Sequence, residues 1–294
     1  MKDFKDRYNG YLSDFESYAK NYVEKKLETE PRVLGESMAY SLLSGGKRIR
    51  PVLMLACADV LEVRRDEVLP FALALEMIHC YSLIHDDLPA MDNDDFRRGK
   101  PTNHKVYGEA NAILAGDGLL NEAYHICFRE CEKGERQIFA SGFLNACAGV
   151  FGMIAGQSAD MYYSQGNKDA SEEELRYIHE CKTGKLLLAA VLTPCFLSGN
   201  KEFFALERFG KLLGLLFQIT DDILDVTATF DELGKTLGKD EVENKLTYVR
   251  LYGLEGAKVR AEMCAKDCHA VLEVVEKDTE FLHALIDYVY TRKG

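Results

Sequence analysis

Tryptophan is absent from this chain of 294 residues, and proline occurs only six times. With so few prolines and no long Ser, Pro or Gly-rich stretch, no segment reads as a linker, and one domain over 1–294 is predicted. The nine cysteines are scattered and never form C-x-x-C. That argues against a disulfide framework and for reduced thiols in a cytoplasmic protein. Basic residues are the minority, 36 against 48 acidic, for a formal charge of −12, which excludes a protein that coats nucleic acid. The N-terminus lacks the apolar core of a signal peptide and reads as an amphipathic helix. The one uncharged run long enough to span a bilayer, 137–159, holds Asn145, Gln157 and several glycines without aromatic or basic flanks. It is expected to be a buried helix packed through small residues, not a stable membrane span.

What is present is helical periodicity. Hydrophobic residues make up 47% of the chain and recur at a period close to 3.6, while no stretch alternates with period two for long. An all-α fold follows, with helices near 2–29, 35–44, 51–61, 68–88, 106–132, 136–160, 172–197 (interrupted near Thr193-Pro194), 202–226, 254–276 and 279–291. The intervening segments 44–50, 89–105 and 227–247 concentrate Gly, Lys and Asp.

Asp86, Asp87, Asp92, Asp94 and Asp95 place five carboxylates in ten residues at the end of an apolar helix, where negative charge opposes the helix dipole. Pro89 should break the helix and turn Asp92 back toward Asp86. A second cluster, Asp221-Asp222-Ile223-Leu224-Asp225, continues the apolar run 212–220. At about 100° per residue, Gln218, Asp221 and Asp225 share one helix face. Buried carboxylates on a common face need a cation, and oxygen donors with little His or Cys select Mg²⁺ over zinc.

Magnesium held by carboxylates keeps positions open for phosphate oxygens, and phosphate calls for cations. Ser44-Gly45-Gly46-Lys47-Arg48-Ile49-Arg50 is a Gly-Gly loop opening onto a helix, with Lys47 and Arg50 three apart. Arg97 and Arg98 follow the first Asp cluster. Lys182-Thr183-Gly184-Lys185, Lys235 and Lys245 supply further charge, the last two on a loop able to close over a ligand. Together these residues read as a two- or three-ion Mg²⁺ site gripping one diphosphate, beside a cationic pocket for a second.

In GGKRIRP, HCYSLIHDDLPAMDNDDFRRGKPTNH, KTGKL and FQITDDILD, and over about Leu34 to Arg292, the chain resembles the trans-isoprenyl diphosphate synthases, most closely bacterial farnesyl diphosphate synthases. The resemblance implies an all-α bundle of about ten or more helices around a central cavity, working as a homodimer. It implies Mg²⁺ ligands at Asp86, Asp92, Asp221 and Asp225 with Asp87 close by, and allylic diphosphate contacts from Arg97, Lys182, Thr183, Gln218 and Lys235. Isopentenyl diphosphate would be held by Lys47, Arg50, His79 and Arg98. His79 lies seven residues before Asp86, so it faces the same side of its helix. The implied reaction joins isopentenyl diphosphate to dimethylallyl or geranyl diphosphate. Tyr81, five residues before Asp86, lies about 7–8 Å deeper by helical rise, where with Ser82 it would stop a growing tail at farnesyl length. A smaller residue there would suit the geranylgeranyl enzymes of the same family.

One reading of another class is available. Glu76-x-x-His79 and Glu122-x-x-His125 have the spacing of di-iron carboxylate bundles, although that reading leaves both Asp clusters and the basic motifs unexplained.

Overall fold

The computed structural model describes residues 2–27, 31–164, 171–199, 202–227 and 246–292. Its helices are α1 (Lys2–Lys26), α2 (Arg32–Leu42), α3 (Ile49–Val60), α4 (Arg65–Asp86), α5 (Asn103–Tyr107), α6 (Glu109–Cys131), α7 (Glu135–Ala148), α8 (Met153–Ser164) and α9 (Glu172–His179). A π-helical turn, Glu180–Gly184, leads into α10 (Lys185–Leu197), followed by α11 (Phe203–Thr227), α12 (Tyr248–Leu272) and α13 (Glu280–Thr291). The fold is all-α apart from one short hairpin, β1 (Phe96–Arg97) with β2 (Lys100–Pro101).

α4 and α10 are apolar on nearly every face, which places them at the centre. Residues 71–78 of α4 and 186–195 of α10 are buried without interruption. α4 packs on α3 and α6, α10 on α3, α4, α7 and α11, and α11 on α12. α4 opens on Asp66 and Glu67, which suit its N-terminal dipole, and closes on Asp86, which does not. The unfavourable carboxylates are thus presented where the central helix meets the cavities described below.

Four departures from the sequence reading have local causes. The helix expected over 136–160 is two helices, because regular helix is interrupted between Gly149 and Gly152. A Cβ on Gly152 would stand 2.1 Å from the carbonyl oxygen of Cys147. α10 runs through Pro194, and the irregularity expected there lies instead at the π turn. α12 begins before residue 254, since Gly253 (φ +69°) absorbs a kink inside it. The hairpin was not anticipated: each strand has only two residues, and its turn rests on positive φ at Arg98 and Gly99, the handedness that two-residue hairpins require.

The π turn is gripped by glycines. A Cβ on Gly156 of α8 would lie 2.1 Å from the backbone nitrogen of Lys182, and one on Gly214 of α11 would lie 2.9 Å from Cα of Gly184. Close backbone approach on both sides fixes where Lys182 and Thr183 emerge.

Two helical segments among the described residues, Arg65–Asp86 and Glu135–Tyr163, are long and apolar enough to cross a membrane. The first is the 72% buried core helix; the second is interrupted at Gly149–Gly152 and only 39% buried within the chain, leaving an apolar outer face.

Gly156→Ala is expected to lower stability by roughly 1–3 kcal/mol through overpacking against the π turn, read as a fall in the denaturant midpoint. An unchanged midpoint would contradict the close approach of α8 to Lys182.

Candidate active site

The turn after α4 folds back on itself. The Asp92 N–H donates to the carbonyl of Asp86 at 2.8 Å, and Met91 and Asn93 both donate to the carbonyl of Leu88. Asp86 and Asp87, adjacent in sequence, then part company. Asp86 lines a cavity of about 570 Å³ with Arg50, His79, Tyr81, Ser82, Met153, Ile154, Lys182 and Thr183. Asp87 is instead buried under the forked guanidinium of Arg97, whose Nε and Nη2 both donate to it at 2.6–2.9 Å. The expectation that Asp87 sits with the metal carboxylates and Arg97 with a diphosphate therefore meets a different arrangement: the two hold each other. The hairpin explains this, since it carries Arg97 back over the end of α4.

Burial, reinforced by the neighbouring Asp92 charge, pushes the Asp86 carboxyl up to about 6, against the pull of Lys182. Burial also raises Asp87, although Arg97 opposes it. Two side chains not anticipated from sequence shape this wall. Gln157 of α8 donates to Asp86 Oδ1 at 2.7 Å, and Asp160 of the same helix pairs with Lys182 at 2.6 Å. Both lie at the end of an uncharged run whose only sequence signal was a polar residue out of place.

A second cavity of about 370 Å³ is lined by Gly46, Lys47, Arg48, Arg50, Glu76, His79, Arg98, Phe217, Asp221, Leu224 and Arg292. Arg50 and His79 line both cavities, so the structure brings Lys47, Arg50, His79 and Arg98 together beside Asp86. Arg98 reaches the Gly-Gly loop, donating to Ser44 Oγ at 3.2 Å and to the Gly45 carbonyl. Gly46 (φ +117°) cannot carry a side chain there, because a Cβ would lie 2.8 Å from the Arg98 guanidinium carbon. Glu76 is engaged by Arg48 in a buried pair at 2.7 Å.

Three cations of this second cavity are held below their ordinary values. Burial lowers Lys47, Arg50 and Arg98, and repulsion from other arginines adds to it in each case. Burial, then Arg50 and Arg98, holds His79 well below the usual histidine range, so it is neutral. Nε of Arg50 and Nε of Arg292 are buried without a hydrogen-bond partner among the described residues. A pocket whose guanidiniums and ammonium lack full compensation is built for a multivalent anion.

Arg292, just beyond α13, is the residue the sequence reading missed altogether. It donates to Asp221 Oδ1 (2.6 Å), Thr220 Oγ1 (3.0 Å) and the Phe217 carbonyl (2.9 Å), with its guanidinium 3.8 Å from the centre of the Phe217 ring. It sits alone near the C-terminal end, so no local motif marks it; the fold supplies its partners.

On α11 the second acidic cluster divides in the same way. Asp221 points to the cationic cavity, and Asp225 is buried with Oδ2 lacking a partner among the described residues. Asp222 turns to the other side, accepting from the Tyr248 N–H at 2.7 Å near His179. Gln218 is half-buried on the face of Asp221. Lys235, with Lys245, lies outside the described residues.

The donor set fits Mg²⁺. Asp225 offers a buried oxygen without a partner, and Asp86 a carboxylate whose charge burial penalises. Mg²⁺ takes one or two carboxylates and completes its shell with water and phosphate oxygens; among the described residues no group of three or more metal-binding side chains converges. The di-iron arrangement does not form: Glu76 belongs to Arg48, and Glu122 accepts from Tyr22.

Residues 31–284 match the polyprenyl synthetase family. The chain belongs to that family. It is 40% identical to a farnesyl diphosphate synthase of Bacillus subtilis over 292 residues, covering 96% of this chain and 98% of that one. It is 47% identical to a chloroplastic geranylgeranyl pyrophosphate synthase of Capsicum annuum, covering 90% of this chain and 72% of the relative. Among solved structures, a Helicobacter pylori geranyltransferase complexed with magnesium and isoprenyl diphosphate superposes with a TM-score of 0.82 at 33% identity over 96% of each chain. The protein is a prenyltransferase of the polyprenyl synthetase family, and its relatives include synthases of both product lengths.

Arg292→Ala is expected to lower stability by roughly 1–3 kcal/mol through the hydrogen bonds lost to Asp221, Thr220 and Phe217, measured by chemical denaturation. Arg292→Lys, which keeps the charge without the fork, should recover only part of it. Equal stability of all three forms would contradict a structural bond between α13 and α11.

Proposed function

We propose that this prenyltransferase is a Mg²⁺-dependent farnesyl diphosphate synthase, joining isopentenyl diphosphate to dimethylallyl and then geranyl diphosphate. The observation that carries the reading is the pair of adjoining cavities sharing Arg50 and His79. One sets Asp86 and Lys182 among largely apolar walls; the other gathers Lys47, Arg48, Arg50, Arg98 and Arg292 around Glu76 and Asp221. Two diphosphates with one prenyl tail need that division.

Asp86, Asp92, Asp221 and Asp225 would hold two or three Mg²⁺ ions, with Asp87 keeping Arg97 in place behind them. When bound, Mg²⁺ supplies neutralising positive charge for a departing diphosphate. The chain's own residues do the rest. Lys182, set by the π turn, stands beside Asp86 to receive the allylic diphosphate, with Thr183 next to it and Gln218 on α11; Arg97 stays on Asp87, and Lys235, outside the described residues, is proposed for the same diphosphate from the sequence motif alone. Lys47, Arg50, Arg98 and neutral His79 hold isopentenyl diphosphate with its double bond toward the allylic carbon. The allylic C–O bond breaks with its electron pair leaving on diphosphate, the double bond attacks the resulting carbocation, and a proton is lost to the released diphosphate. No protein nucleophile takes part. Met153, Ile154, Leu186 and the α4 wall keep water from the carbocation.

Tyr81, buried and packed edge-on against His85 at 5.7 Å between ring centres, closes the larger cavity below Asp86. Ser82 donates back to the His79 carbonyl and adds no bulk. This favours a C15 product, while the chloroplastic relatives keep a C20 product as the second reading. The exposed apolar residues Ile113, Leu114, Ile138, Phe139, Val150 and Phe151 support a homodimer formed through α6, α7 and the turn before α8, and the nine free cysteines support a place in the cytoplasm.

Incubation with isopentenyl and geranyl diphosphates should give farnesyl diphosphate only when Mg²⁺ is present; no Mg²⁺-dependent condensation would refute the proposal, and a C20 main product would select the second reading. Tyr81→Ala is expected to shift the product to C20 or longer on chromatography. An unchanged C15 product would remove Tyr81 as the floor.

A further inference from the structure

Away from the two cavities, α12 and α13 each carry a histidine followed four residues later by a carboxylate: His269 with Glu273, and His283 with Asp287. The pairs are exchanged between the helices. His269 Nε2 lies 3.1 Å from Asp287 Oδ1, and His283 Nε2 lies 3.9 Å from Glu273 Oε1. The two Nδ1 atoms face each other at 2.7 Å. The ring planes differ by 5° and their centres stand 5.0 Å apart, so the rings meet edge to edge, not face to face, and their inner nitrogens point at one another.

Carboxylates only accept, so Asp287 draws the N–H of His269 to its outer nitrogen, while Glu273, beyond hydrogen-bond distance, acts on His283 through its charge alone. That leaves the Nδ1 lone pair of His269 aimed at Nδ1 of His283 at 2.7 Å, a place for one shared positive centre, either a proton or a metal ion. A ligating histidine whose outer N–H is held by a carboxylate is the arrangement that orients imidazole toward a metal ion. Burial, with His269 beside it, holds His283 below the ordinary histidine value, and the neutral ring is the form that ligates.

We propose that His269 and His283 bind one borderline divalent transition-metal ion of the zinc class, bridging α12 and α13. The nitrogen donors distinguish it from the acidic clusters, since imidazole suits Zn²⁺, Ni²⁺ and Cu²⁺ and not Mg²⁺. The protein supplies two ligands and water completes the shell. Nitrogens bound to one tetrahedral zinc at about 2.0–2.1 Å stand roughly 3.3 Å apart. The rings must therefore open and tilt by a few tenths of an ångström, which their side-chain exposures of 32% and 26% allow. The bound ion would tie down α13, the helix that ends beside Arg292.

Calorimetric titration of the full chain with Zn²⁺, in excess Mg²⁺ to occupy oxygen sites, is expected to show one bound ion per chain and a rise in melting temperature. His283→Ala and His269→Ala should each weaken that binding at least tenfold, and Asp287→Asn, which keeps both rings, about 10–100-fold. All three variants retain the nine cysteines, so zinc held by thiols would be unaffected. Circular dichroism checks that each variant is folded. Binding that survives His269→Ala/His283→Ala would overturn the proposal. So would the absence of binding, with an Nδ1–H···Nδ1 proton resonance persisting in excess Zn²⁺, because the pair would then hold a proton only.

Discussion

The arrangement depends on one constraint: charges of both signs are buried in an apolar helical bundle, and they only partly neutralise one another. Arg48 and Glu76, Arg97 and Asp87, Lys182 and Asp160, and Arg292 and Asp221 form pairs at 2.6–2.7 Å. Beyond these pairs, Arg50 and Asp225 keep buried polar atoms without partners among the described residues, and burial drives Asp86 up and Lys47, Arg50 and Arg98 down. Leaving such groups uncompensated is unfavourable in isolation. A polyanion and divalent cations arriving together would relieve it, which is the combination the proposed function calls for.

Much of this was legible in the sequence, for a physical reason. Helical periodicity and spacing along one helix are local, so α4, α11 and the shared face of Gln218, Asp221 and Asp225 follow from counting residues. The Gly-Gly loop is equally local, and its demand for glycine at Gly46 comes from one neighbour, Arg98. Which of two adjacent carboxylates turns inward is not local. Asp87 is taken by Arg97 only because a two-residue hairpin, too short for any periodic signal, reverses the chain between them. Arg292, Gln157 and Asp160 reach the site through the packing of α13 and α8, and no motif brackets them. The π turn is hidden for a similar reason: it is set by glycines on α8 and α11, far from it in sequence.

The glycine contacts show how the fold serves the chemistry. Lys182 and Thr183 lie on a turn wedged between Gly156 and Gly214, so their placement is a property of three elements and not of side-chain choice alone. Tyr81 is placed in the same manner, buried in α4 and braced by His85, whose imidazole is in turn admitted by Gly116: a Cβ there would lie 2.1 Å from His85 Nε2. A rigid wall of this kind is what the proposed C15 limit would require. Family membership alone does not supply that inference, since relatives of comparable identity carry different product names.

The central claim is that the uncompensated charges are completed by metal and diphosphate jointly. Its most direct test is thermal unfolding of the apo protein with Mg²⁺ alone, inorganic diphosphate alone, and both. The account predicts a rise in melting temperature with both that clearly exceeds the sum of the separate shifts, and loss of that excess in Asp86→Asn. Equal stabilisation by either component alone, or an excess unchanged in Asp86→Asn, would contradict it.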